Sequence, residues 1–156
     1  DGATVGRPHL ADALVAKKIV KSRDEAFTDL LNNDSPFYVS HFAPTPEDSI
    51  RAIRAAGGVA VIAHPFASRR GQTLSPESFA SLVAAGLNGI EVFHRDQSED
   101  ERKQLIEIAH ALDLVITGSS DYHGTGKLNQ LGENTTAAAE WERLESMADH
   151  RRVVSR

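Results

Sequence analysis

The sequence predicts an α/β fold built on parallel strands, and three observations carry that expectation. Short apolar runs at Val59-Ala60-Val61-Ile62, Ile90-Glu91-Val92-Phe93 and Leu114-Val115-Ile116-Thr117 alternate with stretches of helical periodicity. The unit repeats: Ala55-Ala56-Gly57-Gly58 precedes the first run and His64, and Ala84-Ala85-Gly86-Leu87 precedes the second run and His94, 30 residues on. A helix–strand unit of that size joins parallel strands through helical crossovers. Three such units fit an open sheet or part of a (β/α) barrel, and are too few to close a barrel alone.

The elements follow in order. Residues 7–34 read as two short helices, with Leu10, Ala13, Leu14 and, with a small slip, Ile19 at helical intervals. Ser22 and Glu25 form an S-x-x-E capping box ahead of Ala26, Phe27, Leu30 and Leu31, and Pro36 ends the stretch. Phe37-Tyr38-Val39 is extended, and Ala43-Pro44-Thr45-Pro46 is a joint. Thr45 caps the next helix with Pro46 in its first turn, and Ile50 and Ile53 carry it to Gly57. Its strand, 59–62, is a continuous apolar run, which marks burial on both faces. Ser75-Pro76 opens a helix through Phe79, Leu82 and Val83 to Gly86, and Ser98 opens another through Leu105, Ile106, Ala109 and Leu112. A last helix runs near 137–147 with Trp141 and Leu144 on its apolar face. The joint divides the chain into a helical cap segment, 1–44, and a (β/α) part, 45–156.

Composition narrows the function classes. A chain of 156 residues with 40% hydrophobic and 25% charged residues is a one-domain, soluble composition. Cysteine is absent, which excludes disulfide scaffolds and thiolate metal sites. Seventeen basic against 22 acidic residues give a net charge of −5, which argues against an extended nucleic-acid coat but leaves a local cationic pocket open. No apolar run approaches the ~18 residues of a membrane span, and no secretory leader pattern opens the chain, so a cytoplasmic location is expected. The chain starts at Asp1 and its single Met is Met147, so it reads as a piece of a longer protein.

In parallel α/β folds, chemistry collects where strands finish. The first strand runs into His64-Pro65, the second into His94-Arg95-Asp96, and the third through Gly118-Ser119-Ser120 into Asp121-Tyr122-His123-Gly124. Parallel strands bring these ends to one face. Imidazole and carboxylate groups meeting without thiolates suit Mn, Fe or Zn. A lone strand-end His is more often a hydrogen-bonded structural residue; three such ends together favour a metal or catalytic site. Glu91 alternates within its strand and either faces a barrel interior or pairs with a cation.

Ala63-His64-Pro65 and Gly118-Ser119-Ser120-Asp121-Tyr122-His123-Gly124 resemble the last two metal-binding motifs of the PHP (polymerase and histidinol phosphatase) family. The opening Gly6-Arg7-Pro8-His9 resembles the helical cap of its stand-alone phosphoesterase branch, which includes nucleoside 3′,5′-bisphosphate phosphatases and enzymes that trim short RNA. The similarity runs from residue 6 to about residue 136. It implies a distorted (β/α)7 barrel with up to three divalent ions (Mn²⁺, Fe²⁺ or Zn²⁺), of which the present chain is the C-terminal half. It implies His64, Asp121 and His123 as metal ligands, with Arg7 and His9 of the cap facing the substrate phosphate. Arg69, with Arg70, and His94 are further substrate-binding candidates from their places after the first two strands. The family's opening His-x-His pair, next Asp and His, and bridging Glu have no counterpart here and are expected before Asp1.

The implied activity is hydrolysis of a phosphate ester of a small nucleotide, such as a nucleoside 3′,5′-bisphosphate or a short oligonucleotide end, by a metal-activated water. The alternatives are a histidinol-phosphatase-like enzyme and a non-catalytic half-barrel scaffold. Alone, the 156-residue chain is expected to be inactive and to self-associate through its open sheet edge. Other signals fall away. His94-Arg95-Asp96 lacks the rest of a kinase catalytic loop, and Gly124-Thr125-Gly126-Lys127 lacks phosphate-loop spacing. Asn134-Thr135-Thr136 is a formal glycosylation triplet without evidence of secretion, His110 and His150 read as bystanders, and His41 lies in the joint.

Overall fold

The computed structural model describes residues 5–39, 42–68, 71, 73–124 and 128–148. The chain divides into two compact units, 1–43 and 44–156.

In the first unit, α1 (Arg7–Ala16) has Pro8 in its first turn, where a missing N–H costs nothing. A short helix, α2 (Arg23–Glu25), continues as a π-helical turn, Ala26–Leu30. Ser22 accepts the Glu25 N–H as expected, but the Glu25 carboxylate reaches the Lys21 N–H (2.7 Å), one residue short of a closed capping box. The small core is Ala11, Val20 and Ala26, lined by Leu14, Val15, Phe27, Leu30 and Leu31. Leu10 and Ile19, read from the sequence as apolar-face residues, are exposed; close approach of α1 to the π-helical turn selects the small Ala11 instead.

The second unit holds a three-stranded sheet among the described residues, all parallel, in the order β1 (Val61–Ile62), β2 (Gly89–Phe93), β3 (Val115–Gly118). Between the strands run α4 (Ser78–Ala84) and α5 (Glu99–Ala111); α3 (Pro46–Ala55) precedes the sheet and α6 (Ala138–Ser146) follows it. Thr45 caps α3 by accepting the Asp48 N–H (3.1 Å). Ser98 and Glu101 form a closed capping box on α5, and the Ser98 N–H, followed by Ser68, holds the Glu101 carboxyl below its ordinary pKa. The Ala-Ala-Gly repeat has a common physical basis: Gly57 (φ 78°) and Gly86 (φ 106°) each end a helix in the left-handed conformation.

Four local expectations change. Ser75-Pro76 forms a turn, with α4 starting two residues later at Ser78. The first strand is two residues long because Asn88 takes over the ladder before it: its side chain accepts the Ala60 N–H (3.0 Å) and its N–H donates to the Ala60 carbonyl (2.9 Å). Nor is that strand buried on both faces, since Val61 is 36% exposed at the sheet edge; Trp141 is 47% exposed on α6.

Ile90 and Val92 point into the main core with Phe79, Leu82, Leu105 and Ala109, which the helices cover. Side chains alternate along each strand, so Glu91 and its register partner Thr117 lie on the opposite face. The outer edge of β3 is met by side chains. Thr136 Oγ1 accepts the Gly118 N–H (3.1 Å), and Glu140 accepts the Ile116 N–H (3.0 Å). Gly118 permits this: an added Cβ would lie 2.5 Å from the Thr135 carbonyl oxygen and 2.8 Å from Phe93 Cβ. Gly118→Ala is therefore expected to lower stability by about 1–3 kcal/mol in chemical denaturation. An unchanged midpoint would show that the covering segment does not hold the end of β3.

Candidate metal and phosphate site

Parallel pairing puts the ends of β1, β2 and β3 at one edge of the sheet, and the side chains there meet. The His64 and His94 rings have centroids 4.8 Å apart. His94 Nε2 is 3.7 Å from Asp121 Oδ2, within ion-pair range but beyond a hydrogen bond. Asp121 Oδ1 is in turn 3.4 Å from His123 Nδ1. Glu91 reaches the same edge from inside β2 and accepts the His64 N–H (2.9 Å). A ring nitrogen of His64, a ring nitrogen of His94 and a Glu91 carboxylate oxygen lie within 4.8 Å of one another. The sequence left Glu91 between two roles. Its alternation onto the face away from the helical core was the available signal, and its bond to His64 N–H makes it part of the site.

Burial grades across the group. His94 is wholly buried, His64 and Asp121 are half-buried, and the His123 side chain is 52% exposed. The backbone is strained at two of them. His64 has φ 30° and Asp121 φ 50°, in the left-handed region that non-glycine residues enter at a cost of order 1–3 kcal/mol. Lys18 and Asp113 share that conformation, but each follows a helix C-terminus, where it is ordinary. At His64 and Asp121 it occurs just past strand ends, with no helix terminus to account for it.

Hydrogen bonds fix which nitrogen each ring offers. The Asp96 N–H donates to His94 Nδ1 (3.1 Å), so the neutral His94 ring carries its proton on Nε2, toward Asp121. His123 is the reverse. Its Nδ1 lies 2.7 Å from the Asp121 carbonyl oxygen, which can only accept, so Nδ1 carries the proton and Nε2 keeps its lone pair. A ligating histidine ordinarily has this arrangement, one nitrogen donating to a carbonyl and the other binding the ion. In the neutral rings, His123 thus keeps its lone pair on Nε2, and His94 carries its N–H there. The Asp121 loop is held by Asn129, whose buried amide donates to the Ser120 carbonyl (2.7 Å) and accepts from Arg95 (3.1 Å). Sequence reading passed over Asn129, since nothing in its neighbourhood marks a lone Asn as an anchor.

The other sequence candidates fall in the first unit or outside the described residues. Arg7 and His9 belong to the first unit, where the Arg7 guanidinium sits 5.5 Å from the Phe27 ring centroid and His9 Nδ1 accepts the Gly6 N–H (3.0 Å). Arg69, Arg70 and His41 fall outside the described residues. The hydrogen bonds predict that ¹⁵N NMR of the metal-free chain at alkaline pH finds His94 as the Nε2–H tautomer and His123 as the Nδ1–H tautomer. His123 protonated on Nε2 would remove the argument that it is poised to bind an ion.

No family model matches the chain. It is 36% identical over 123 residues to a 3′,5′-nucleoside bisphosphate phosphatase of Chromobacterium violaceum, covering 79% of this chain and 43% of that protein. It is 41% identical over 86 residues to a phosphoribosyl 1,2-cyclic phosphate 1,2-diphosphodiesterase of Eggerthella lenta, covering 54% of this chain and 31% of that protein. Its structure resembles that of a protein from Bifidobacterium adolescentis assigned as a metal-dependent phosphoesterase, with TM-score 0.86 and 40% identity over 92% of this chain and 51% of the other. The chain spans less than half the length of these curated relatives. In sequence the chain is thus similar to phosphatases and phosphodiesterases of small phosphorylated substrates, and in fold to a metal-dependent phosphoesterase.

Proposed function

We propose that this chain forms one wall of a divalent-metal phosphoesterase site whose whole protein hydrolyses a phosphate ester of a small nucleotide. The observation that carries the reading is the His123 ring, whose Nδ1 donates to the Asp121 carbonyl so that Nε2 keeps its lone pair, beside the Asp121 carboxylate. The donor set fits the group. Imidazole and carboxylate without thiolate match Mn²⁺, Fe²⁺ or Zn²⁺. His64, Asp121 and His123 are the proposed ligands, with Glu91 holding the His64 backbone. When bound, such ions lower the pKa of water toward neutrality and neutralise charge on phosphoryl oxygens.

The chain's own residues do the rest. His94, buried with its Nε2 3.7 Å from the Asp121 carboxylate, is proposed to help bind the substrate phosphate. Arg7, braced by Phe27, and His9 are proposed to hold the substrate's second phosphate, Arg7 through its bidentate geometry. Arg69 is proposed for the same task. The relatives' names support the substrate class: one acts on nucleoside 3′,5′-bisphosphates, the other on a phosphoribosyl cyclic phosphate. The reading includes a cap over residues 1–44, a sheet that is part of a (β/α)7 barrel, up to three ions in the whole protein, and a cytoplasmic setting.

Phosphate release is the test, with Mn²⁺ added, from a nucleoside 3′,5′-bisphosphate and from a phosphoribosyl 1,2-cyclic phosphate. A longer protein carrying this chain is expected to release phosphate from the bisphosphate. The 156-residue chain alone is expected to give little, because a two-metal clamp needs more ligands than three, and light scattering is expected to show it self-associated. His64→Ala or Asp121→Asn should lower kcat at least ~100-fold, about 2.7 kcal/mol or more of barrier. Arg7→Ala should raise KM more than it lowers kcat. Absence of turnover from the longer protein on both substrates would favour a non-catalytic scaffold.

A further inference from the structure

The ladder between β1 and β2 ends at Ile62 and Ile90, yet the chain after β1 stays tied to the β2 segment through the His64 and Phe66 N–H groups. Two side chains of the β2 segment make that tie. Glu91 accepts the His64 N–H, and Gln97 Oε1 accepts the Phe66 N–H (3.1 Å). Gln97 lies in the turn that joins β2 to α5 and is 2% exposed. Its Nε2 donates to the Glu91 carbonyl (3.1 Å) and the Val92 carbonyl (2.7 Å), using both amide hydrogens. The amide has one workable orientation. Flipped, it would set NH₂ against the Phe66 N–H and its oxygen against two carbonyls.

Gln97 therefore grips the strand that carries Glu91 and His94 with one end and the loop that carries His64 with the other. The loop needs such a grip. His64 sits at φ 30°, and a strained conformation persists only where its surroundings over-determine it. The turn is closed locally by the Ala67 N–H on the His64 carbonyl (3.1 Å), but that bond moves with the loop and does not fix it to β2.

We infer that Gln97 is a positioning residue of the site, holding His64 in its left-handed conformation at a fixed place beside Glu91 and His94. The inference rests on the reading of His64 as a metal ligand, and its test separates the two. The 156-residue chain is used as wild type, as Gln97→Leu, as Gln97→Met should the leucine variant fail to fold, and as Leu82→Ala, a core control away from the site. Amide hydrogen exchange reads the loop, and Mn²⁺ binding followed by EPR reads the ligand.

In wild type the Phe66 amide should be protected; an unprotected Phe66 amide overturns the inference without any variant. In Gln97→Leu or Gln97→Met, exchange at His64 and Phe66 should rise at least tenfold relative to Ile90, and the Mn²⁺ dissociation constant should rise at least tenfold. Leu82→Ala should lower the melting temperature while leaving Mn²⁺ affinity within about twofold. Equal acceleration at all amides, or faster loop exchange with Mn²⁺ affinity unchanged, overturns the positioning role. Absence of Mn²⁺ binding by the wild type would count against the metal reading, while faster exchange confined to His64 and Phe66 would still support Gln97 as the anchor of that loop.

Discussion

Parallel pairing of three strands is the constraint on which the other features depend. Each parallel neighbour must be reached by a crossover, and here helices provide it. The crossovers return every strand to the same starting edge, so all the strands finish at the opposite one. Residues far apart in sequence, His64, His94, Asp121 and His123, thereby become neighbours. The helices bury the Ile90 and Val92 face and leave Glu91 on the other, where it can serve the same edge.

Once the strands end, the ladder no longer orders the backbone, and buried amides take over. Gln97 ties the loop after β1 to β2, and Asn129 ties the loop after β3 to Arg95. Both are almost fully buried, and a buried amide without partners would be costly, so their hydrogen bonds fix both their own orientation and the loops they hold. These loops contain the left-handed His64 and Asp121. The same hydrogen-bond logic separates two histidines that look alike in sequence. An N–H aimed at His94 Nδ1 puts that ring's proton on Nε2, while a carbonyl at His123 Nδ1 leaves the lone pair on Nε2.

Much of this was legible in the sequence, for physical reasons. Apolar runs between helical patterns gave the parallel strands, since buried strands and amphipathic crossovers have different periods. Thr45 and Ser98 announced their helices because a cap is a local device read over four residues. Strand ends drew attention to His64, His94, Asp121 and His123 because topology alone brings such ends together. What stayed hidden was set by tertiary partners. The shortness of β1 depends on Asn88 capturing Ala60, and the burial of Ala11 in place of Leu10 depends on how closely α1 meets the π-helical turn. Gln97 and Asn129 have no motif, because their role exists only after loops distant in sequence have met. The tautomers of His94 and His123 likewise depend on backbone groups two residues away whose directions follow from the folded turn.

The central claim is that the strand ends hold a divalent ion through His123 Nε2 together with Asp121 and His64. Anomalous diffraction from crystals of the chain soaked in Mn²⁺ tests it most directly. The account predicts a metal peak at ordinary ligand distance, roughly 2.0–2.3 Å, from His123 Nε2 and an Asp121 carboxylate oxygen, with His94 still accepting the Asp96 N–H at Nδ1. A peak bound through His94 Nε2 with His123 turned away, or no peak at this edge of the sheet, would contradict it.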